Sequence, residues 1–376
     1  MSKGLLADVR VLELSRILAG PWAGQLLADL GASVIKVEHP DGDDTRRWGP
    51  PFVTDSDGQP IADLSAYFLC ANRGKSSVIV DFTKPEGQEQ VRRLVADCDV
   101  VIENFKVGGL AKYGLDYASL KAVKPSLVYA SITGFGQDGP YAQRAGYDFM
   151  IQGMGGLMSL TGDPSGEPLK VGVALVDVMT GLYTANAVLA ALHHARQTGE
   201  GHHLDIALLD VQVATLANQA LNYLVGGSAP PRLGNSHPNI VPYQVFATAD
   251  GHIILAVGND GQFARFCALA GRPELALDDR YASNPTRVAH RATLVPLLAE
   301  LLKSRSSKDW LEGLEASGIP AGPINDVAQV FADPQVIARG LKLDMDGLPG
   351  VACPIVVDGK RAVADLPPPR LTPSPR

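Results

Sequence analysis

At 376 residues the chain is longer than one hydrophobic core usually serves, so two domains are expected. Its composition is that of a globular enzyme, 46% hydrophobic and 19% charged, with 39 Gly and 27 Pro to mark turns. A net charge of −7 excludes a general nucleic-acid binder, which needs basic patches against phosphate, but leaves room for a local cationic pocket.

The N-terminal stretch Met1–Asp8 lacks an apolar h-region and a cleavage pattern, so no signal peptide is expected. Val9 to Leu14 then reads as a buried strand, Gly20 to Leu30 as a helix closed by Gly31, and Ser33 to Glu38 as the next strand. Ser77 to Asp81 is a strand, Pro85 to Ala96 a helix and Asp99 to Glu103 a strand. Asp116 to Val123 follows as a short helix and Leu127 to Thr133 as another strand. Strands alternating with helices predict an α/β fold with a mostly parallel sheet covered on both faces. The first strand-to-helix turn, Ser15–Pro21, has no G-x-G-x-x-G pattern, and no phosphate-binding P-loop sequence occurs, so dinucleotide binding through those devices is not supported.

Gly153-Met154-Gly155-Gly156 reads as a flexible turn. Leu169 to Val176 is an apolar, strand-like run leading to a long small-residue helix, Val178 to Ala195. The stretch from 171 to 192 is long enough to cross a membrane, yet its Gly, Ala and Thr content and Asp177 fit a buried helix better. Asp177 sits at the junction. Two readings stand side by side: an N-cap that accepts an orphan helical N–H, or a shielded carboxylate poised to attack an activated carbonyl.

Gly226–Pro231 has linker composition and opens a second region near residue 225. Tyr243 to Thr248 and His252 to Val257, flanking Ala249-Asp250-Gly251, predict a hairpin. Helices follow near 260–270, 288–303 and 307–317, before Gly318–Pro323 breaks the pattern. The Pro-rich end, Leu366 to Arg376, reads as an extended arm.

Cys70, Cys98, Cys267 and Cys353 are far apart, without metal-like pairing, and suit free thiols in a reducing cytoplasm. The adjacent pairs His193-His194 and His202-His203 are expected to point different ways at exposed edges rather than to chelate. No metal site is expected. Arg16, Arg46, Arg47, Arg73, Lys75, Lys84, Lys106 and Lys112 fall at strand ends or in the turns after them. Cations there suit a polyphosphate-bearing ligand, although any one of them alone reads as surface charge.

Several ordered motifs together resemble the class III CoA-transferases, the formyl-CoA and carnitine CoA-transferase family of CaiB/BaiF type. They begin with Val11–Pro21 and Leu30–Glu38, and continue with Asn72–Ser76, Asp99–Phe105 and Thr133–Gly136. Gly146-Tyr147-Asp148, Gly199-Glu200-Gly201 and Gly318–Pro323 complete the series, which spans the chain. The resemblance implies that Asp177 is the nucleophile. It implies coenzyme A near Leu18, Ala19, His39, Val80, Asp81, Phe82, Asn104, Phe105, Lys106, Lys112, Ala145, Gly146, Tyr147 and Asp148. An aspartyl anhydride and an aspartyl-CoA thioester would be the intermediates, with coenzyme A or acyl-CoA as substrate and no permanently bound cofactor.

The resemblance also implies an interlocked homodimer with no membrane or nucleic-acid partner. Its large α/β domain would hold residues 1–224 and a returning segment 331–376. A smaller α+β domain, 225–330, would place the acceptor between the two. The racemase branch of the fold carries His where this chain has Tyr147, and a phenol is too weak an acid to replace it near neutral pH. The oxalate-using branch has a glycine run early in the small domain, where this chain reads Arg232–Asn239. That stretch resembles members using succinyl-CoA and other dicarboxylates, with Asn235 or His237 as acceptor contacts. The alternatives are a 2-methylacyl-CoA racemase and a CoA-binding protein without turnover. Backbone amides of Gly153–Gly156, or of the helix start after Asp177, are the candidate oxyanion donors.

Overall fold

A computed structural model describes residues 4–371, so Met1–Lys3 of the expected leader-free terminus and the last five residues of the expected arm lie outside the described residues. Six strands form a parallel sheet: β1 (Arg10–Glu13), β2 (Ser33–Glu38), β5 (Lys75–Ile79), β6 (Val100–Glu103), β7 (Val128–Thr133) and β8 (His203–Ala207). Their order is β5-β2-β1-β6-β7-β8. A short hairpin, β3 (Phe52–Thr54) and β4 (Pro60–Ser65), lies outside that sheet. The chain winds outward from β1 in one direction and then returns to wind in the other. The switch falls between β1 and β6, where open α/β sheets leave a crevice beyond the strand ends.

Alternation along each strand builds two cores. Val11, Val100, Ile102, Val128, Ala130 and Ile132 face one layer, while Leu12, Leu14, Val101 and Tyr129 face the other. Helix α1 (Ala19–Asp29) packs in the first layer. The short α2 (Ala66–Leu69), then α3 (Pro85–Ala96) and α4 (Tyr117–Lys121), follow in sequence, with α3 and α4 packing in the second layer. Beyond β7 come α5 (Asp148–Met154), the short α6 (Leu157–Leu160), α7 (Leu175–Thr198), α8 (Leu208–Ala214) and α9 (Asn218–Gly226).

The 24-residue helix α7 is apolar and long enough for a membrane by composition, but it sends Val176, Ala185, Val188, Leu192 and Ala195 into the first core. Gly181 lets it lie against α1. A Cβ there would stand 2.7 Å from the Ala19 carbonyl oxygen and 3.0 Å from the Trp22 side chain. Gly181→Leu is therefore expected to cost about 1–3 kcal/mol through overpacking. Urea unfolding is the check.

Two expectations about this region are corrected. No strand forms over 169–176; the helix instead begins at Leu175, with Ala174 as its N-cap. Asp177 is thus inside the first turn and is not the cap. In addition β8, not anticipated although Leu204 and Ile206 alternate with His203 and Asp205, completes the sheet beside β7.

The chain separates into two compact units. The first takes in the residues up to Met158, Lys170–Ala229 and the chain from Pro334 onward; the second takes in Ser159–Leu169 and Pro230–Asp333. In the second unit β9 (Tyr243–Ala247) and β10 (His252–Ala256) form the expected hairpin. β11 (Ala321–Pro323), within the Gly/Pro run read as a break, adds to its edge. An edge position tolerates proline because no ladder donor is lost from the sheet interior.

Helices α10 (Asp260–Leu269), α11 (Asn284–Ala289), α12 (Arg291–Leu302) and α13 (Ser307–Ala316) surround a core of Phe246, Leu255, Phe263, Leu298 and Trp310. The helix expected near 288–303 is α12, and the short α11 just before it, separated by His290, was not anticipated. The Ser283 capping box starts α11.

Candidate active site

The loops leaving β1, β6 and β7 meet at the switch point and enclose a cavity of about 230 Å³. Its walls are Arg16–Ala19 after β1, Asn104–Val107 after β6, Ile132–Gly134 at the end of β7, and Arg144–Tyr147. Asp177 reaches it from the first turn of α7. A second cavity of about 350 Å³ shares Arg16, Phe105 and Lys106 with the first. It is lined further by His39, Phe82, Lys112 and Tyr113. Phe82 packs edge-on against Phe105 and Tyr113, each at 5.7 Å between ring centroids. One end of the site is therefore aromatic and cationic; the other carries the carboxylate.

Of the residues singled out by sequence, Leu18, Ala19, Asn104, Phe105, Lys106, Ala145, Gly146, Tyr147 and Asp177 line the first cavity. His39, Phe82 and Lys112 line the second. Val80, Asp81 and Asp148 line neither. Val80 is buried in the second core, and Asp81 is occupied with Thr83 and Lys84. The amide of Asn104 turns inward, accepting from the Arg16 N–H at 2.9 Å and donating to the Arg16 carbonyl at 2.7 Å.

Asp148 performs the task first considered for Asp177. Its Oδ1 accepts the N–H of Val176 at 2.8 Å and that of Asp177 at 3.4 Å, so the helix carrying Asp177 is capped from outside. Gln152, fully buried, holds this cap by donating to Asp148 Oδ2 at 2.7 Å while its Oε1 accepts the Val171 N–H at 2.9 Å.

Helical amides would ordinarily favour a charged Asp in the first turn. Here the two nearest are spent on Asp148, and the next, from Val178, bonds to the Ala174 carbonyl. Burial, with the like charge of Asp148 behind it, raises Asp177 to about 7. Tyr67, also pushed up to about 12 by burial and then by Asp177, stays a neutral phenol beside it. Tyr67 and Gln152 had no sequence signal beyond their polarity.

The same hydrogen bonds correct the candidate oxyanion donors. The amides after Asp177 are used as just described; those of Gly155 and Gly156 bond to the carbonyls of Ile151 and Gly153. Gly134 and Gly146 instead bring two loops together at the cavity. A Cβ on Gly146 would fall 2.4 Å from the Gly134 Cα.

The cation set is corrected too. Arg46, Arg73 and Lys75 are buried in ion pairs with Glu38, Asp29 and Glu13 at 2.7, 2.6 and 2.8 Å, inside the fold rather than facing a ligand. Arg47 bonds to the Asp41 carbonyl and Lys84 to Asp81. Arg16, Lys106 and Lys112 remain at the cavities. Within each adjacent histidine pair the rings do diverge, His193 to Gln197 and His203 to Ser131, while His194 and His202, one from each pair, meet with ring nitrogens 2.8 Å apart. Cys98, Cys267 and Cys353 are buried free thiols, whereas Cys70 is exposed. Asn235 and His237 lie in the second unit, where His237 Nδ1 accepts the Asn239 N–H.

Comparison with known proteins agrees with this geometry. Residues 6–372 match CoA-transferase family III. A succinate–glutarate CoA-transferase of Agrobacterium fabrum is 55% identical over 97% of this chain and 92% of its own. The human succinyl-CoA:glutarate CoA-transferase is 43% identical over 97% of this chain and 83% of its own. Among solved structures, a CaiB/BaiF family protein from Brucella suis superposes with a TM-score of 0.87 at 56% identity, covering 98% of this chain and 97% of that one. The chain thus belongs to CoA-transferase family III, the CaiB/BaiF type, and is a CoA-transferase.

Proposed function

We propose that this enzyme moves coenzyme A from succinyl-CoA to a dicarboxylic acid, with Asp177 as the acyl-carrying nucleophile. The observation that carries the role of Asp177 is its place: a shielded carboxylate lining a cavity that adjoins, through Arg16, Phe105 and Lys106, a second cavity that is aromatic and cationic. The substrate class rests on relatives named for succinate, glutarate and, at 39% identity in Haloarcula hispanica, mesaconate.

In the first step an Asp177 carboxylate oxygen attacks the donor thioester carbonyl, and coenzyme A leaves as thiolate, forming a mixed anhydride. The thiolate then attacks the aspartyl carbonyl of that anhydride and expels the donor acid, leaving an aspartyl-CoA thioester. The acceptor carboxylate attacks this thioester and again releases the thiolate. Attack on the acceptor carbonyl of the second anhydride yields the new acyl-CoA and restores Asp177. Each anhydride lies above the thioesters that flank it, but the overall reaction exchanges one thioester for another, so no external energy source is needed. Phe82, Phe105 and Tyr113 offer ring faces to the adenine, and Arg16, Lys106 and Lys112 offer charge to the phosphates.

We further propose a cytoplasmic homodimer whose chains interlock. The exposed apolar side chains of α9, among them Leu221, Leu224 and Val225, support association. Light scattering on the purified protein measures it; a monomer at micromolar concentration overturns it.

For the reaction, the protein is incubated with succinyl-CoA, quenched with hydroxylamine and mapped by peptide mass. A hydroxamate at Asp177 is expected. No modification there, with full turnover in Asp177→Asn, rejects the nucleophile. A panel of dicarboxylic acids offered with succinyl-CoA, read by the mass of the new thioester, identifies the acceptor.

A further inference from the structure

The turn that opens the cavity holds an unusual backbone. Ile17 has φ of +73°, a left-handed conformation that a β-branched side chain rarely adopts. Such a conformation persists only where its surroundings enforce it. The Ile17 N–H is shared between the two oxygens of Asp43, at 3.3 and 3.4 Å. Asp43 is itself buried and fixed on every side. Its Oδ1 accepts from the N–H and hydroxyl of Thr45 at 3.0 and 2.7 Å, and its Oδ2 pairs with Lys36 Nζ at 2.9 Å.

Lys36 rises from the middle of β2 and donates also to the Ser15 carbonyl at 2.9 Å, two residues before Ile17. Its third partner, Glu13, ends β1 and pairs with Lys75. Lys75 donates in turn to the Pro21 carbonyl at 2.9 Å. Buried charges therefore grip the turn at Ser15, Ile17 and Pro21, while Asn104 clamps Arg16 between them. The Lys36 ammonium holds Asp43 down at about 2, against the upward push of burial, so the grip stays charged across the neutral range.

We infer that Asp43 is a positioning residue for acyl-CoA: locked by Lys36 and Thr45, it enforces the left-handed Ile17 and so sets the wall of the Asp177 cavity formed by Arg16, Ile17, Leu18 and Ala19. The inference rests on the proposed reading of that cavity as the coenzyme A site. Glycine adopts a positive φ without strain, which provides a direct test. The Kd for coenzyme A and the kcat are measured in Asp43→Asn, Ile17→Gly and the double variant.

Asp43→Asn is expected to weaken coenzyme A binding by about tenfold, with kcat changed less. In the Ile17→Gly background the same substitution is expected to change the Kd by no more than about twofold. Equal losses in both backgrounds, or an unchanged Kd in folded Asp43→Asn, overturn the inference. Should Asp43→Asn not fold, Thr45→Val removes only one anchor of Asp43. It is expected to weaken binding by about threefold in the wild-type background and not in Ile17→Gly; no weakening in either overturns the inference. Lys106→Glu separates the two levels: if it leaves the Kd unchanged, the cavity is not the coenzyme A site. If it abolishes binding while Asp43→Asn does not weaken it, only the role of Asp43 fails.

Discussion

Asp177→Asn is expected to leave a folded protein that binds coenzyme A and turns over slower by on the order of 10⁴-fold, since the covalent path is removed while the binding wall remains. The wild-type enzyme should show an acidic limb in kcat/KM centred on about 7, because only the ionised carboxylate attacks and burial raises Asp177 to about 7. Asp148→Asn takes away the like charge and is expected to move that limb to lower pH. A limb that stays in place would assign the titration to another group.

The same shift has a sign in stability. Asp177 ionises near 3.8 in the unfolded chain and near 7 in the fold, so between those values the native state binds more protons. Stability contributed at this position therefore falls as pH rises through that window. Asp177→Asn is expected to be more stable than wild type at pH 8 by on the order of 2 kcal/mol, and no more stable at pH 4. Denaturant midpoints at the two pH values test this. A nucleophile kept partly dehydrated is a cost to the fold, a familiar trade of stability for activity.

Arg73→Ala is expected to destabilise by about 3–5 kcal/mol, the largest stability loss among the charge changes considered. Arg73 forms a two-pronged bond with Asp29, at 3.0 and 2.6 Å, and its third nitrogen donates to the Val351 carbonyl. Asp29 also accepts the Ala364 N–H, so both groups tie the C-terminal segment to α1. Truncating the arginine leaves a buried carboxylate unpaired. Lys303→Ala, which removes an exposed partner of Glu300, is expected to change stability by less than about 0.5 kcal/mol. A urea midpoint for Arg73→Ala within error of wild type would show that water reaches Asp29.

The sequence alone reached the parallel α/β sheet because its strands are short apolar runs bounded by turn residues and separated by helical patterns. β2 at Ser33–Glu38 and α3 at Pro85–Ala96 come out at the expected boundaries. Ordered motifs along the chain were enough for the family, and several strand-end residues they implicated do share a cavity. β8 was missed although Leu204 and Ile206 alternate with His203 and Asp205, because five residues running straight into α8 carry no turn residue to mark a strand end. α11 was missed because its six residues are marked by the capping at Ser283 and not by an apolar period.

Charge was where local sequence misled. Arg46, Arg73 and Lys75 looked like ligand cations because they follow or open strands, yet Arg73 and Lys75 face acids far away in the chain and Arg46 folds back on Glu38, eight residues before it. Asp177 looked like a cap because Asp precedes a helical run, yet its carboxylate is left to the cavity only because Asp148, some thirty residues earlier, takes the helical amides. Periodicity and motif order are properties of neighbouring residues, so the sequence determined the sheet, the family and the candidacy of Asp177. Burial, pairing and the pKa of a carboxylate depend on which distant groups share its space, and those only the tertiary structure decided.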